Sequence, residues 1–319
     1  MSFSILSTGR ALPKTVLTNE ELCSFVDTTD EWIRSRTGIG QRHICMEESL
    51  TDLAAEAARR AMASAGVGAG DLDLILCATI SSDYITPSLA CTVQEAIGAS
   101  CPAFDVSAAC PGFLFALDVA DGYFARGRAK QILVIAAEAM SRLMDWRDRS
   151  TCVLFGDGAG AVVLGPGEGL RSLSIRTQGR TNVLYVPAAR GNLPGRAQGP
   201  ESYAVMDGQE VFKFAVTAMC RGLRGSIRDA GLSEADIDWV LPHQANMRII
   251  EFAMSKMKIP PERFLINIER LANTSAACIP ILLDESREQG KLKKGDLLAM
   301  CAFGAGLTSA SAVIRWEID

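Results

Sequence analysis

The chain has 319 residues, of which 48% are hydrophobic and 22% are charged, a balance typical of a globular protein and not of a disordered one. A net charge of −5 argues against general nucleic-acid binding, and no apolar run is long enough to cross a bilayer. The first residues lack the apolar core of a signal peptide, so a cytoplasmic protein is expected.

Predicted helices and strands alternate along the first half of the chain. Residues 51–66 show a helical pattern that begins after Ser49 or Thr51 and ends at Gly66. Short apolar strands are predicted at residues 73–80, 101–106, 131–138 and 160–165, and a second helix at residues 111–127. This alternation predicts an α/β fold.

The second half of the chain repeats the pattern of the first. The stretch "ASAGVGAGDLDLIL" resembles "RDAGLSEADIDWVL", which lies 165 positions later. The string "SAAC" occurs at Ser107–Cys110 and again at Ser275–Cys278, an offset of 168 positions. The nearly equal offsets predict a duplicated unit in which the two SAAC strings are equivalent. The two predicted halves are residues 1–168 and 169–319.

Cysteine and histidine limit the possible chemistry. The ten cysteines are scattered and contain no C-x-x-C pair, so neither a zinc ribbon nor a dithiol redox motif is indicated. In a reducing compartment most of them would be small buried apolar residues. The two histidines are His43, in a basic stretch, and His243. A reaction that needs an imidazole has to use one of these two.

Cys110 is the first candidate nucleophile. It stands between a predicted strand and the predicted helix 111–127, in which Pro111 suits the first helical position. Cys110 would then be the N-cap residue, where the helix dipole and free N–H groups favour a thiolate. Strand-to-helix turns also expose the nucleophile in other enzymes. The alternative is a small residue that packs at a turn, and the residues alone leave both interpretations open.

Other polar residues stand at comparable positions. His243 follows a predicted buried strand at residues 237–241, and α/β folds place their sites at such strand ends. Asn273 is the distinctive polar residue upstream of Cys278, which is interpreted as a packing residue. A lone histidine is usually structural, but Cys110, His243 and Asn273 together indicate a catalytic site.

Five further strings occur in order along the chain: "DVSAACPGF", "FGDGAGAVVL", "PHQANMRII", "NTSAA" and "AFGAG". In order and spacing they resemble the β-ketoacyl-acyl-carrier-protein synthase III family, and "DEWIRSRTGIGQRHI" near the N-terminus is similar to the same family. The resemblance covers essentially the whole chain. It implies the thiolase fold, a five-layered αβαβα arrangement of two pseudo-equivalent halves. It also implies the initiating condensation of bacterial type II fatty acid synthesis, from an acyl-CoA and malonyl-acyl carrier protein.

The resemblance implies a role for each candidate catalytic residue. Cys110 would be the acylated nucleophile, and backbone N–H groups of Cys110 and Ala305 would bind the oxyanion. His243 and Asn273 would donate hydrogen bonds to the enolate that forms when the malonyl group loses carbon dioxide. No metal or other cofactor is expected, because acyl-CoA and malonyl-acyl carrier protein are substrates. Cys278 stands where the family often has serine.

The resemblance also assigns binding residues. Trp32 and Arg149 match the pair that sandwiches the adenine of CoA, a stacking arrangement that suits an indole and a guanidinium. The expected CoA-binding residues are Trp32, Arg36, Arg149, Gly208 and Asn246. Arg248 matches a residue that meets the acidic carrier protein. Three lysines complete a basic patch around it or form a solvated charged face: Lys213, Lys256 and Lys258.

The sequence departs from the family at a few positions. Ala272 and Ala305 stand where glycine is usual, and Ser309 stands where tryptophan is common. Thr86 occupies a position that often carries phenylalanine and that reaches the partner subunit's acyl pocket in the family's homodimer. A smaller side chain there predicts a roomier pocket and starters longer or more branched than acetyl.

Three alternative functions remain open at this point. The nearest is a related thiolase-fold condensing enzyme of secondary metabolism with a non-acetyl starter. A cysteine hydrolase shares the order Cys, His, Asn, but the chain lacks the C-G-[SA]-C-[WY] pattern and is duplicated. A binding or scaffold protein without catalysis would not need the complete set of three residues.

Overall fold

The computed structural model describes residues 2–188 and 203–319 of the chain. The strands in chain order are β1 (Ser2–Ala11), β2 (Thr15–Thr18), β3 (Gln41–Ile44), β4 (Leu74–Ala78), β5 (Ala103–Val106), β6 (Ile132–Ala139), β7 (Asp157–Gly167), β8 (Leu170–Thr177), β9 (Leu184–Tyr185), β10 (Val205–Met206), β11 (Trp239–Pro242), β12 (Leu297–Gly304) and β13 (Thr308–Arg315). The α-helices are α1 (Asn19–Leu22), α2 (Asp30–Thr37), α3 (Leu50–Ala65), α4 (Leu89–Ile97), α5 (Gly112–Ala125), α6 (Gly208–Asp229), α7 (Met247–Lys256), α8 (Ile268–Leu271) and α9 (Cys278–Glu288). Within the described residues, no helix is long and apolar enough to cross a membrane.

Two mixed sheets form the framework. The first has the strand order β1-β7-β6-β4-β5, with β4 parallel to β5 and β6, and with β7 antiparallel to β6 and β1. The second has the order β11-β12-β13-β8, with β11 parallel to β12 and the other pairs antiparallel. A parallel bridge between Val240 and Phe264 continues the second sheet where the first has β5. The central strands are continuous apolar runs because both of their faces are buried.

Helices form three layers around these sheets. α5 and α9 lie between the sheets and contact strands of both. α3 and α4 cover the outer face of the first sheet, and α6 and α7 cover the outer face of the second. The expected five-layered αβαβα fold is therefore confirmed.

The local signals of the sequence explain where the elements begin and end. Ser49 caps α3 in a reciprocal capping box with Asp52, and Gly66 ends that helix in the left-handed conformation. One prediction was wrong by a residue. Pro111 is the N-cap of α5, so Cys110 lies just before the cap instead of being the cap itself.

The two halves match in backbone conformation with an offset that differs from that of the SAAC strings. Helices α5 and α9 begin at Gly112 and Cys278, which lie 166 positions apart. Ala109 and Ser275, with the same offset, both have a φ of +51°. The expected equivalence of the two SAAC strings was therefore wrong: the backbone pairs Cys110 with Ala276, and the repeated letters are two residues out of register. The expected division after residue 168 falls in the turn between β7 and β8.

Candidate active site

Cys110 lies in the turn between β5 and α5, at the carboxyl edge of the first sheet. The preceding Ala109 has a φ of +51°, and its carbonyl accepts a 2.8 Å hydrogen bond from the N–H of Gly112, which tightens the turn. Gly304, at the end of β12, packs directly against this turn. A Cβ atom at Gly304 would lie 2.8 Å from the backbone nitrogen of Cys110, so only glycine fits there. The close approach places Cys110 where the two halves meet.

The thiol of Cys110 keeps its proton at neutral pH. The side chain is half-buried, and burial raises the pKa of the thiol to about 12, while its hydrogen-bond contact with Ser275 acts in the opposite direction. The sequence-based expectation of a thiolate favoured by the helix N-terminus was therefore wrong for the resting site. Desolvation of the sulfur is the largest cause of this raised pKa.

His243 follows the last residue of β11 and is 1% exposed. Its backbone N–H donates a 2.8 Å hydrogen bond to the carbonyl of Cys301. The imidazole and the ring of Phe303 pack edge to face, with their centroids 5.2 Å apart. Burial lowers the pKa of the imidazole to about 3, so His243 is neutral across the physiological pH range. A neutral imidazole donates from one nitrogen and accepts at the other.

Cys278 is the hydrogen-bond partner of His243. Its Sγ lies 2.9 Å from Nδ1 of the imidazole, and its residue is 2% exposed. Burial raises the pKa of this thiol to about 12, so it keeps its hydrogen and can donate it to Nδ1. A hydrogen accepted at Nδ1 leaves the ring hydrogen on Nε2, the other nitrogen. Cys278 is buried, as expected of a packing residue, and it also contacts His243, a contact that its sequence context did not predict.

Asn273 lies immediately before the left-handed turn at Ser275. Its backbone N–H donates to Leu154 at 3.0 Å, and its carbonyl accepts from Gly156 at 3.1 Å. Its side-chain Oδ1 accepts a 2.9 Å hydrogen bond from the N–H of Ser275. Because the oxygen is engaged on that side, the planar amide presents its NH₂ group in the other direction. The side chain is therefore held as a donor.

One cavity of about 210 Å³ brings these three residues together. Cys110, His243 and Asn273 line one part of it, with Phe303 and Gly304. Three of the expected CoA-binding residues line the cavity as well: Arg36, Gly208 and Asn246. Apolar side chains form much of the remaining wall: Leu154, Phe155, Leu184, Val211, Phe212 and Ile249. The arrangement can admit a narrow, largely apolar chain that ends at a thiol beside two neutral hydrogen-bond donors.

Comparisons with known proteins agree with this geometry. Two family models match the chain. The model for 3-oxoacyl-[acyl-carrier-protein] synthase III matches residues 104–179, and the model for the C-terminal part of that enzyme matches residues 227–316. A β-ketoacyl-[acyl-carrier-protein] synthase III of Thioalkalivibrio sulfidiphilus is 46% identical over 98% of this chain and 98% of its own length.

The chain belongs to the β-ketoacyl-[acyl-carrier-protein] synthase III family. The crystal structure of the synthase III from Aquifex aeolicus VF5 is similar to it, with a TM-score of 0.91, 44% identity and coverage of 98% of this chain and 100% of that one. The crystal structure of the priming β-ketosynthase from the R1128 polyketide pathway is also similar, with a TM-score of 0.93 and 33% identity. The match covers 99% of this chain and 96% of that one.

The indole of Trp32 lies close to two arginines in this synthase. The guanidinium carbons of Arg36 and Arg149 lie 5.2 Å and 5.3 Å from the ring centroid. Arg149 also donates a 2.9 Å hydrogen bond to the carbonyl of Asp27. An adenine ring that stacks against the indole on one face and a guanidinium on the other needs roughly 7 Å between those two groups, twice an optimal contact distance. An adenine can enter between Trp32 and Arg149 only if that guanidinium moves outward.

Asn246 joins two elements at the mouth of the cavity of this synthase. Its Oδ1 caps α7 by accepting from the N–H of Arg248 at 2.9 Å, and its Nδ2 donates to the carbonyl of Arg36 at 3.1 Å. Gly208 begins α6 and has no neighbouring atom within 4 Å of a hypothetical Cβ. Packing within the chain therefore does not require glycine at position 208.

The residues expected to meet the carrier protein lie on α6, on α7 and just after α7. Arg248 is exposed, with its guanidinium 5.9 Å from the ring of Phe212 in the cavity wall. The ammonium group of Lys213 forms a 2.9 Å ion pair with Glu210, which also binds Arg180 at 3.0 Å. The two remaining expected residues, Lys256 and Lys258, are exposed. Arginines that sequence reasoning did not single out lie in the same region: Arg176, Arg221, Arg224 and Arg228.

The positions at which this synthase departs from family usage differ in their surroundings. Ala272 has φ +57° and ψ −156°, a conformation that favours glycine. The carbonyl of Ala305 accepts a 2.7 Å hydrogen bond from Thr308, and Ser309 pairs with Phe303 across the hairpin. Thr86 is exposed and does not line the cavity within one chain.

Two further residues, Ser275 and Glu138, form a chain of contacts that begins at Cys110. Ser275 places its hydroxyl 3.5 Å from Cys110 Sγ and 3.0 Å from Oε1 of Glu138. Glu138 is the one acidic residue in the apolar strand β6, and it is fully buried. A single carboxylate within "ILVIAAEA" was a signal that could have marked it, because charged residues are rarely buried without a reason.

Proposed function

We propose that this synthase transfers an acyl group from acyl-CoA to Cys110 and condenses it with malonyl-acyl carrier protein to a 3-oxoacyl-acyl carrier protein, the initiating step of type II fatty acid synthesis. The observation that carries the proposal is the convergence of a thiol and two neutral donors, from Cys110, His243 and Asn273, on one narrow cavity. The family membership of the whole chain supports the same reaction.

In the first half-reaction, the S–H bond of Cys110 breaks and its proton passes to a neighbouring base as Sγ bonds to the thioester carbonyl carbon. The carbon–sulfur bond to CoA then breaks. Backbone N–H groups of Cys110 and Ala305 hold the oxyanion of the tetrahedral intermediate. CoA leaves as a thiolate and takes a proton from water. The contact between Gly304 and the Cys110 turn supports this assignment, because it brings the loop that contains Ala305 close to the nucleophile.

In the second half-reaction, the malonyl group loses carbon dioxide and its thioester becomes an enolate. Nε2–H of His243 and the NH₂ group of Asn273 donate hydrogen bonds to the enolate oxygen. The enolate carbon attacks the acyl carbonyl, and the carbon–sulfur bond to Cys110 breaks. The contact of Cys278 with Nδ1 supports this role, since it keeps the hydrogen on Nε2. In this proposal the acylation of Cys110, the decarboxylation of the malonyl group and the condensation all use these protein groups, without a metal or another cofactor.

Substrate binding follows the same geometry. CoA occupies the cavity along Arg36, Gly208 and Asn246, with its adenine against Trp32 after Arg149 moves outward. The acidic carrier protein docks on the positive surface around Arg248, with Lys213, Lys256 and Lys258 at its rim. The exposure of all four side chains supports this docking surface.

The synthase acts as a cytoplasmic homodimer in this proposal. β5 lies at the edge of the first sheet and exposes Phe104, which is 36% exposed. The segment before α4 exposes two more apolar side chains: Ile85 is 100% exposed and Tyr84 is 58% exposed. An edge strand beside exposed apolar residues favours pairing with a second copy. Thr86 lies in this segment, so it would enter the acyl pocket of the partner and leave room for longer or branched starters.

A second candidate function is priming of a specialised pathway with a non-acetyl starter. The similarity to the priming β-ketosynthase of the R1128 polyketide pathway and the small side chain of Thr86 favour it. Both functions share one chemistry and differ in starter and carrier protein.

Intact-protein mass spectrometry tests the proposal. The wild type and Cys110→Ala are incubated with acetyl-CoA and a ladder of longer and branched acyl-CoAs, and malonyl-acyl carrier protein is then added. We expect one acyl adduct in the wild type, none in Cys110→Ala, and loss of the adduct with 3-oxoacyl product after the second addition. An adduct that persists in Cys110→Ala, or an adduct that malonyl-acyl carrier protein does not consume, contradicts the proposal. The order of rates along the ladder separates the two candidate functions.

A further inference from the structure

A chain of three side chains leads from the nucleophile into the first sheet. Ser275 Oγ lies 3.5 Å from Cys110 Sγ, within hydrogen-bonding reach for sulfur, and 3.0 Å from Oε1 of Glu138. Ser275 and Glu138 are both 0% exposed. The two catalytic half-reactions described above use neither of them. A titratable group is therefore connected to the reacting sulfur through one hydroxyl.

The carboxyl group of Glu138 is held by hydroxyl and amide donors. Its Oε2 accepts from Ser81 Oγ at 2.5 Å, from the N–H of Ile80 at 3.1 Å and from Thr79 Oγ1 at 3.3 Å. Its Oε1 accepts from Ser275. In the described part of the chain, no lysine or arginine forms an ion pair with Glu138. Burial raises the pKa of this carboxyl to about 7, which places both protonation states within reach at neutral pH.

When Glu138 is ionised, the hydrogens along these three side chains have one arrangement that satisfies every group. A hydroxyl has a single hydrogen, so Ser275 donates either to Cys110 or to Glu138. The thiol of Cys110 keeps its own hydrogen, because burial raises its pKa to about 12. The thiol therefore donates to Ser275, and Ser275 donates to the carboxylate of Glu138.

His243 is a poor alternative as the proton acceptor for Cys110. Burial lowers the pKa of its imidazole to about 3, so it binds a proton weakly. Its Nδ1 is occupied by Cys278 at 2.9 Å. Only Nε2 remains, and it carries the hydrogen that the enolate needs. The site thus separates proton acceptance from enolate stabilisation.

We infer that Ser275 and Glu138 form the proton relay of Cys110. In the acylation step the S–H bond breaks as sulfur bonds to the thioester carbon. That proton passes to Ser275 Oγ, and the hydroxyl hydrogen of Ser275 passes to Glu138 Oε1, which becomes a neutral carboxylic acid. When condensation breaks the acyl–sulfur bond, the Cys110 thiolate takes the proton back along the same path. The inference rests on the proposed role of Cys110 as nucleophile.

The backbone of Ser275 supports a functional placement. Its φ of +51° lies in the left-handed region, which serine rarely adopts. This conformation directs the hydroxyl to a position between two groups that belong to the other half of the chain. Ser275 touches the reacting sulfur and is a catalytic residue in this scheme. Glu138 acts through Ser275 and is a positioning residue.

The other titratable groups on the elements around β6 face elsewhere. Asp157, in β7, accepts from the N–H groups of Cys45 and Ser141 and from the hydroxyl of Ser141. Cys77, in β4, is fully buried beside Asp105. The charged side chains of α3 and α5, and of Arg126 just after α5, lie on exposed or partly exposed faces: Asp52, Glu56, Arg59, Arg60, Asp118, Asp121 and Arg126. Cys110 is thus the titratable group that meets Glu138 through Ser275.

The test is the pH dependence of Cys110 acylation, measured by rapid quench and intact-protein mass spectrometry with acetyl-CoA. The proteins are the wild type, Glu138→Gln, Ser275→Ala and Asp157→Asn. Alanine tolerates the backbone of position 275, since Ala109 adopts the same φ of +51°. Asp157→Asn is the matched control, because it removes a buried carboxylate of the same sheet that does not contact Cys110. Thermal unfolding shows which variants are folded.

We expect the wild-type rate to rise with pH through about 7, as the carboxyl of Glu138 ionises. Glu138→Gln and Ser275→Ala lose this rise and acylate about 10²-fold more slowly at pH 8, the contribution typical of a general base. Asp157→Asn keeps the wild-type profile. A wild-type profile in folded Glu138→Gln or in folded Ser275→Ala overturns the relay.

A second measurement separates the relay from a general disturbance of the site. Decarboxylation of malonyl-acyl carrier protein is compared between Cys110→Ala and the double variant Cys110→Ala with Glu138→Gln. Equal rates are expected, because decarboxylation uses His243 and Asn273. A large loss in the double variant indicates a structural effect and overturns the relay. Absence of any acyl adduct in the wild type overturns instead the assignment of Cys110 as nucleophile.

Discussion

The contact between Cys278 and His243 makes a quantitative prediction about the second half-reaction. Replacing Cys278 with alanine removes the group that lies 2.9 Å from Nδ1. A hydrogen bond of this kind contributes about 1 kcal/mol net, which corresponds to roughly a fivefold preference for the tautomer with hydrogen on Nε2. Without it, both tautomers are populated, and fewer molecules can donate to the enolate. Condensation by the alanine variant is therefore expected to slow by about twofold.

The same replacement affects stability, because both residues are buried. His243 and Cys278 are 1% and 2% exposed, so solvent does not readily replace the lost partner. An unsatisfied buried nitrogen costs about 1–3 kcal/mol of the free energy of unfolding. The alanine variant should therefore unfold at lower denaturant concentration, with an unchanged slope of the transition.

The assay is single-turnover condensation of enzyme already acylated at Cys110 with saturating malonyl-acyl carrier protein. Acylation of free enzyme serves as the internal comparison and should be nearly unchanged. Cys278→Ser is the matched variant, because a hydroxyl keeps a hydrogen-bond donor at this position, and it should recover most of the condensation rate. Nitrogen chemical shifts of the imidazole report the tautomer directly. A folded alanine variant with the wild-type condensation rate refutes the reasoning, as does a serine variant that is as slow as alanine.

Three further predictions concern backbone strain, assembly and carrier-protein docking. Ala272→Gly should raise the melting temperature, because relief of about 1–3 kcal/mol of backbone strain exceeds the roughly 0.5–1 kcal/mol entropic cost of glycine. Ala276→Gly is the control and should lower the melting temperature, because position 276 is buried and has an ordinary φ. A lower melting temperature of Ala272→Gly contradicts the strain argument. Ile85→Glu should convert a dimer into monomers by light scattering, since it places a charge in the exposed apolar segment; a dimer that survives this change places the interface elsewhere. Arg248→Glu should raise KM for malonyl-acyl carrier protein several-fold and leave KM for acyl-CoA unchanged, with the effect weakening as salt increases. Lys14→Glu, an equal change of charge far from α7, is its control, and equal effects of both variants exclude a specific docking surface.

Much of the fold could be predicted because its cues are local. The helix predicted at 51–66 corresponds to α3 (Leu50–Ala65), since Ser49 and Gly66 determine its two ends within the sequence itself. The predicted strand at 131–138 corresponds to β6 (Ile132–Ala139), because a buried strand of an inner sheet is apolar on both faces. The predicted N-cap of α5 was wrong by one residue, since Pro111 and not Cys110 takes the cap position.

The site could be predicted only in part, because some of its contacts cross the chain. The three residues identified from strand ends and family motifs do line one cavity. The contacts of Ser275 with Glu138 and of His243 with Cys278 join positions that lie 137 and 35 residues apart. Neither pair has a spacing that a helix or strand period could reveal. The state of the Cys110 thiol was also mispredicted, because its pKa depends on burial that only the packed structure defines.

The register between the two halves has a consequence for the origin of asymmetry in this site. The backbone places Cys110 opposite Ala276, and both follow a residue with a φ of +51°. In an assembly of two identical unlinked halves, symmetry would impose the same side chain at both positions, so two thiols would face each other across the axis. Covalent fusion removes that constraint. One copy of the turn can then hold a thiol, while the other contributes a hydroxyl, an amide and a buried methyl group.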